Sequence, residues 1–415
     1  MFENTTLENK MSVSSIRSLA ILLAMLTAVA PFAIDMYLPA MKLMASDLST
    51  AIHYVEISIS TFLFGFAIGQ LTGGPLSDKF GRKPIIAIGL SLFSLTSLML
   101  TQTESIDQLL LLRAFQAIGG GMATVNSSAI IRDLFTGDEM AKVLSMVAIV
   151  MMSAPLIAPM LGTLILSVFN WQTIFLILSI YALCIMLLLL WRLPETNTLS
   201  KRKQRKSEGP KTKLWDAYKQ VLTHRKAMGY VMAISFSFSG MFVFITASAF
   251  AYMEYFSVSP EIFPFIFGAN VVVMMLMNRI NIWALNYYSS TTILATGLTL
   301  QILCGIGLII ASYLAPSLYL IVGLIMIFVG SIGLVAANAT AGTLNFFPNI
   351  SGTATAVIGV TEFTLGALVG LLWSYLHELQ FIATQQHTLS PMAWVMTSCA
   401  FIGLAGLTIL SRPKL

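Results

Sequence analysis

The stretch Gly73-Gly74-Pro75-Leu76-Ser77-Asp78-Lys79-Phe80-Gly81-Arg82-Lys83-Pro84 separates two long apolar runs in the first quarter of the chain. The runs cover about 53–76 and 84–102, and a helix needs about 20 mostly apolar residues to cross a bilayer. Between them, glycines permit close approach or unusual backbone angles, and the charges can stay at a membrane surface. The stretch therefore predicts a tight turn on one side of a membrane between two spanning helices.

The same apolar pattern recurs along the whole chain and predicts twelve membrane spans, which we number in chain order. Pro316 suggests the break between spans 9 and 10. The predicted ranges are 17–39, 53–76, 84–102, 107–130, 141–167, 171–192, 227–251, 262–284, 290–313, 316–340, 352–376 and 391–411.

Composition supports a polytopic membrane protein. Of the 415 residues 57% are hydrophobic and 10% charged, whereas a soluble domain has about 25% charged residues. These proportions exclude an ordinary soluble enzyme. Three cysteines in apolar runs and four scattered histidines show no metal-ligand spacing, so we predict no metal site.

The positive charges predict the orientation. If the N-terminus is cytoplasmic, 21 of the 23 Lys and Arg residues fall in inner segments or at the inner ends of spans. Membrane proteins carry such an excess of basic residues on the cytoplasmic side. We therefore expect both termini inside the cell, in a bacterial cytoplasmic membrane.

The longest inner loop divides the chain into two sets of six spans. We expect an N-terminal half at 1–192, a basic cytoplasmic linker at 193–226 and a C-terminal half at 227–415, a common transporter arrangement. Within the linker, the basic run Lys201–Lys206 fits an orientation-setting segment near anionic lipid better than a nucleic-acid site. Leu214, Trp215, Tyr218, Val221 and Leu222 share one helical face, which we expect at the inner membrane surface.

Several stretches resemble known sequence motifs. The stretch 73–84 resembles the signature loop of the major facilitator superfamily, Leu112–Gly121 looks like its Arg-containing motif, and Ala154–Gly162 looks like the Pro/Gly motif of its exporters. Asp35–Pro39, which reads DMYLP, is similar to the Bcr/CflA drug-resistance group. The resemblance implies the major facilitator fold, all helical, and a proton-coupled exporter of small, often toxic molecules.

Three charged residues inside spans are the candidates for proton coupling, because a buried charge usually faces a cavity or a partner. Asp35 lies between Pro31 and Pro39, and we expect it to exchange a proton for a cationic substrate. Arg113 shares a helical face with Gln116, and the resemblance implies that it holds a nearby carboxylate ionised. Each has a structural alternative: a cap near the outer headgroups for Asp35, and a side chain snorkelling to the interface for Arg113.

Glu362 is the third candidate, about ten residues into span 11. It is interpreted as a second proton site, as a partner of Asn270 or Gln301, or as a merely structural acid. Substrate contacts are predicted at Asp35, Tyr37, Gln116, Phe238 and Asn270, within a pocket rich in Phe and Met that can adapt to varied ligands.

Gate residues are predicted from the motifs. We expect Asp78 to dock at the N-terminus of span 11, near Arg132, when the inner gate closes, because a helix N-terminus favours an anion. The gate candidates are Gly74, Asp78, Gly81, Arg82, Arg132, Pro155, Pro159 and Gly162.

The resemblance therefore implies a drug:proton antiporter that confers antibiotic resistance. It lacks a phosphate-binding Gly-x-x-x-x-Gly-Lys-[Ser/Thr] loop, so we expect no cofactor and a proton gradient as the energy source. The expected partners are a small molecule, protons and the bilayer, with no nucleic acid, and the chain is expected to be a monomer and not an enzyme. The alternative is export of an endogenous metabolite such as a siderophore or an amino-acid derivative.

Overall fold

The computed structural model describes residues 13–200, 214–314, 317–348 and 350–411, and within these ranges the regular structure is entirely helical. Eleven helices there are long and apolar enough to cross a membrane. Span 4 is the twelfth long helix, with 29 residues, and it is more polar because it carries Arg113 and charges near both ends. The prediction of an all-helical membrane protein is confirmed.

The helices have the following bounds. Spans 1–6 are Val13–Asp35, Ile52–Phe80, Arg82–Leu100, Ile106–Leu134, Gly137–Leu166 and Gln172–Arg192. Spans 7–12 are Arg225–Ala249, Phe263–Ala284, Ser290–Leu314, Leu318–Leu344 (broken at Ser331), Ser351–Thr384 and Ser390–Ser411.

Two spans are irregular at the end that we assign to the outside. Span 1 stops at Asp35 and is followed by a 3₁₀ turn, Leu38–Ala40, and a short helix, Met41–Asp47. Span 7 continues beyond Ala249 as a π-helical turn, Phe250–Tyr255. Such π turns often occur at functional sites.

The turn between spans 2 and 3 is shorter than the sequence predicts. Residues 73–80 continue the helix of span 2 and tolerate Pro75 inside it, so Gly81 alone makes the turn, with a φ of 108°. Glycine enters this region of backbone conformation without a steric penalty. Gly74 needs no such freedom, since a Cβ there would meet nothing within 4 Å.

The inner linker is described only in part. Residues 214–223 form the predicted helix, in which Val221 is buried and Trp215 is exposed. The basic run Lys201–Lys206 and Pro316 lie outside the described residues.

Glycines set the distance between spans 2 and 4. Gly65, Gly69 and Gly73 recur every four residues on one face of span 2, against the backbone of span 4 at Ala114, Ile118 and Met122. Small residues allow such close approach in membrane helices, where packing stabilises helix pairs. Spans 2 and 11 also pack together, as do spans 5 and 8, and these contacts join the two sets of six spans. The division into two halves stays a prediction.

Adding a methyl group tests the packing of spans 2 and 4. We expect Gly69→Ala to lower the free energy of unfolding by about 1–3 kcal/mol, the usual cost of overpacking, because the new Cβ would overlap the carbonyl oxygen of Ile118. Gly74→Ala is the matched control, since it lies in the same helix and faces open space. Thermal unfolding in detergent checks both variants, and equal stability of the two would contradict this account of the packing.

Candidate functional site

A buried arginine organises the interior of the first six spans. Arg113 of span 4 is fully buried, and its guanidinium lies 4.5 Å from the ring centre of Tyr37 and 4.4 Å from that of Phe62. Its Nη1 donates a 2.6 Å hydrogen bond to Oε1 of Gln116, whose Nε2 donates to Ser97 at 2.7 Å. Aromatic faces attract a cation most strongly when it is desolvated, so these groups replace the water that Arg113 has lost.

No ion pair joins Arg113 to an acid among the described residues. Two of its guanidinium nitrogens, Nε and Nη2, also have no hydrogen-bond partner there. Its part in proton coupling stays a prediction.

Asp35 is a buried acid without a partner. It ends span 1, is 3% exposed, and makes no hydrogen bond or ion pair with the described residues; its Oδ1 is fully enclosed. Tyr37, two residues later, instead shares a 2.7 Å hydrogen bond with Ser58. Because buried polar groups are nearly always paired in folded proteins, this environment makes Asp35 the strongest candidate for a binding group in span 1.

Glu362 in span 11 is a second acid of interest. It is only half-buried, and, like Asp35, it forms no hydrogen bond or ion pair within the described ranges. The NH2 groups of the two amides suggested as its partners donate to carbonyls: Asn270 to two carbonyls of its own helix, and Gln301 to that of Phe328. Their oxygens have no partner among the described residues, and the pairing of Glu362 with either amide stays a prediction.

Aromatic rings connect the arginine to the second set of spans. Phe62 stacks on Phe66 at 6.0 Å, and Phe66 meets Phe363, the neighbour of Glu362, at 4.6 Å. Phe242 of span 7 lies 5.7 Å from Phe363 and 6.5 Å from the predicted substrate residue Phe238. These five rings, the aromatic row, extend from the contact with Arg113 in span 4 to spans 7 and 11.

The Pro/Gly motif of span 5 lies against the segment that carries Asp35. The helix runs through Pro155 and Pro159 without a break. A methyl group on Gly162 would overlap the carbonyl oxygen of Met36, so glycine allows span 5 to touch the end of span 1. Thr163 then donates to the carbonyl of Pro260 at 3.1 Å, where a cavity of about 640 Å³ opens between the two sets of spans.

A charged network lies at the end of spans 2 and 3 that we assign to the inside. Asp78 pairs with Arg82 at 2.8 Å, and Arg82 contacts Asp133 at 3.4 Å. Glu195, beyond span 6, accepts hydrogen bonds from the backbone N–H groups of Arg82 and Lys83 at 2.9 and 3.1 Å. Asp133 and Glu195 are not among the gate residues predicted from the sequence.

Two further observations concern Asp78 and Arg132. Burial raises the pKa of the Tyr218 hydroxyl on the surface helix, and the negative charge of Asp78 raises it further, so Asp78 acts on that helix. Arg132 is exposed, and its Nη2 lies 3.7 Å from the place where a Cβ on Gly352 would stand. The docking of Asp78 at the N-terminus of span 11 stays a prediction.

One buried acid was missed altogether. Glu56 of span 2 is fully buried and accepts a 3.3 Å hydrogen bond from the N–H of Phe250 in the π turn of span 7. The available signal was the one that selected Asp35 and Glu362, a charge inside an apolar run.

Comparison with known proteins decides the family. The profile described as Major Facilitator Superfamily matches residues 23–371. The chain belongs to the major facilitator superfamily. A Haemophilus influenzae member, described as a bicyclomycin resistance protein homolog, is 32% identical over 95% of this chain and 96% of its own length. The multidrug resistance protein MdtL of Escherichia coli O157:H7 is 29% identical over 83% of this chain and 88% of its own.

Solved structures of this superfamily have the same fold. A D-xylose-proton symporter superposes with a TM-score of 0.74 at 17% identity, over 95% of this chain and 97% of its own. A bacterial homolog of the human lysosomal transporter Spinster superposes with a TM-score of 0.67 at 14% identity, over 97% and 96%. The resemblance and the fold predicted from the sequence are confirmed, and the chain is a multi-pass membrane transporter.

Replacing Arg113 with lysine tests the contribution of its contacts with the rings of Tyr37 and Phe62. Arg113→Lys keeps the charge but loses the planar fork and the stacked faces, so we expect a thermal unfolding midpoint several degrees lower and loss of drug resistance. Arg192→Lys, at the exposed end of span 6, should match the wild type in both assays. Resistance in a drug-sensitive bacterial host and unfolding in detergent provide the two measurements. A fully active Arg113→Lys variant would show that transport requires only a positive charge at this position and not the planar guanidinium group.

Proposed function

We propose that this protein exports small lipophilic drugs or toxic compounds from the cytoplasm in exchange for protons. The observation that carries the proposal is Asp35, a buried carboxyl with no partner among the described residues. Drug resistance is what the names of the Haemophilus influenzae and Escherichia coli relatives describe.

Asp35 can link the two fluxes because of its environment. An ionised carboxylate buried without a cation is costly by several kcal/mol, so it binds either a proton or a positively charged substrate. The two ligands compete for one group, and competition of this kind gives exchange rather than co-transport. One charge that crosses 100 mV yields about 2.3 kcal/mol, which can drive export. Glu362 is the candidate for a second proton site.

The aromatic row suits lipophilic substrates. Its rings are buried or partly buried between the helices in this conformation, and we propose that they line the substrate site when the spans separate, because apolar sites that can repack accept varied ligands. An acidic metabolite would require more cationic groups, and Arg113 already has its charge covered by Tyr37 and Phe62. This favours neutral or cationic drugs over the siderophore alternative.

Alternating access is the proposed motion. Rocking of spans 1–6 against spans 7–12 would break and remake the contacts between spans 2 and 11 and between spans 5 and 8. The charge distribution supports a bacterial inner membrane with both termini in the cytoplasm. We propose a monomer as the working unit, with the proton gradient rather than a cofactor as its energy source.

Proton release on substrate binding tests the role of Asp35. We expect purified wild-type protein in weakly buffered detergent to release protons when a lipophilic cation such as ethidium is added, because the cation displaces the proton. Asp35→Asn should abolish this release. Asp107→Asn is the matched control, since Asp107 is exposed in the first turn of span 4 and should release protons like the wild type.

The remaining outcomes have distinct meanings. Release that survives in Asp35→Asn but disappears in Glu362→Gln would move the exchanging group to span 11. Binding of the cation with no proton release in the wild type would contradict antiport. Neutral antibiotics in the compound panel test whether proton release requires a positive charge on the substrate or only the volume of the bound molecule.

A further inference from the structure

Glu56 lies where the two sets of spans meet at their outer ends. It belongs to span 2, is 0% exposed, and its Oε1 accepts a hydrogen bond from the N–H of Phe250 across the boundary, in span 7. Its Oε2 is enclosed and has no partner among the described residues. The carboxyl is therefore held between two elements that must separate whenever this end opens.

The surroundings of Glu56 do not stabilise an ionised carboxylate. No lysine or arginine in the described ranges pairs with it, and Glu254 in the same π turn is a second acid close enough to act on it electrostatically. A lone buried carboxylate costs several kcal/mol, whereas a protonated carboxyl keeps the contact with Phe250 and loses the charge. When the outer end is closed, the protonated form of Glu56 is therefore favoured.

The other titratable groups near Glu56 and Phe250 are histidines, the surface acid Glu378, and tyrosines of the π turn and of span 2. The ring of Phe250 lies 4.4 Å from His377 of span 11 and 5.8 Å from His387, and the ring of His53 lies 6.4 Å from His377. Glu378 accepts a hydrogen bond from Tyr54 at 3.2 Å. Phe250 thus contacts Glu56 through its backbone and two histidines through its ring.

We propose that Glu56 is a proton-binding site, separate from Asp35, whose protonation is required for the outer end to close. In the open state water reaches the carboxylate, and a proton from the outer solution binds it. The neutral side chain then enters the space between spans 2 and 7. This inference rests on the proposed transport cycle and orientation, but the site follows from Glu56 and Phe250 alone.

The direction of the pH dependence shows whether Glu56 or the histidines control closure of the outer end. If Glu56 controls closure, the outer end opens as pH rises, because ionisation expels the carboxylate from its apolar site. If the imidazoles controlled closure, the outer end would open as pH falls, because neighbouring rings would become charged together.

Spin-label distance measurements on reconstituted protein without substrate test the proposal. Labels at exposed Ala51 and Ala383 report the separation of spans 2 and 11 at the outer end, in a variant whose Cys184, Cys304 and Cys399 are replaced by Ala. We expect the population with the longer distance to grow between about pH 5 and pH 9. In Glu56→Gln, which mimics the protonated side chain, the short distance should persist at every pH.

Two variants guard against a folding artefact. Glu56→Asp keeps a titratable group and should retain a pH-dependent distance, and Glu104→Gln makes the same change as Glu56→Gln at an exposed outer loop and should behave as the wild type. A wild-type distance that does not change with pH, or a pH dependence that survives in Glu56→Gln, would overturn the proposal. Because no substrate is present, failure here is distinct from failure of drug-driven proton release at Asp35.

Discussion

The positive charge of Arg113 must be accommodated inside an apolar helix bundle, and the arrangement of the first six spans follows from how this is done. Tyr37 comes from the segment after span 1, Phe62 from span 2, Ser97 from span 3 and Gln116 from span 4. Groups from three other segments and from span 4 itself therefore take part in the solvation of a single cation, with Ser97 acting through Gln116. The glycines of span 2 complete this arrangement, because they let Phe62 approach the guanidinium from a helix packed directly on span 4.

The solvation of Arg113 by aromatic rings and an amide affects which acids are available to a substrate. Had Arg113 paired with a carboxylate, that carboxylate would be neutralised and unavailable to a substrate. Instead, Asp35 and Glu362 form no hydrogen bond or ion pair with the described residues, and Glu362 is the neighbour of Phe363 in the aromatic row. The proposed exchange of protons for lipophilic compounds requires this combination of apolar rings that bind the substrate and acids that respond to its charge.

The sequence predicted what depends on hydropathy and on single charges. Twelve apolar runs, the helix at Leu214–Thr223 and the burial of Asp35 and Arg113 all follow from the cost of placing polar groups in lipid. Partners were harder, because they depend on which faces of distant helices meet. The amides of Asn270 and Gln301 illustrate this, since their NH2 groups donate to the carbonyls of Phe267 and Phe328, which no sequence pattern predicted. The extent of the turn after span 2 was also misjudged, because Gly81 alone makes it.

Glu56 and Glu195 show two further limits of sequence reasoning. Glu56 lies one turn into an apolar run, where it is easily taken for a headgroup-level residue, and its burial depends on the π turn of span 7. Glu195 binds backbone N–H groups more than 110 positions away in the chain, a contact without a local pattern. Both residues need the packed structure, because their partners are backbone groups of other helices.

Uptake of ethidium into proteoliposomes under an imposed pH gradient tests the central claim of drug:proton exchange most directly. With an acidic lumen, outward flow of protons should drive the cation inward to a level above that outside, and a protonophore should collapse this accumulation. Equal uptake with and without the gradient, in vesicles that demonstrably transport ethidium, would contradict proton-coupled antiport.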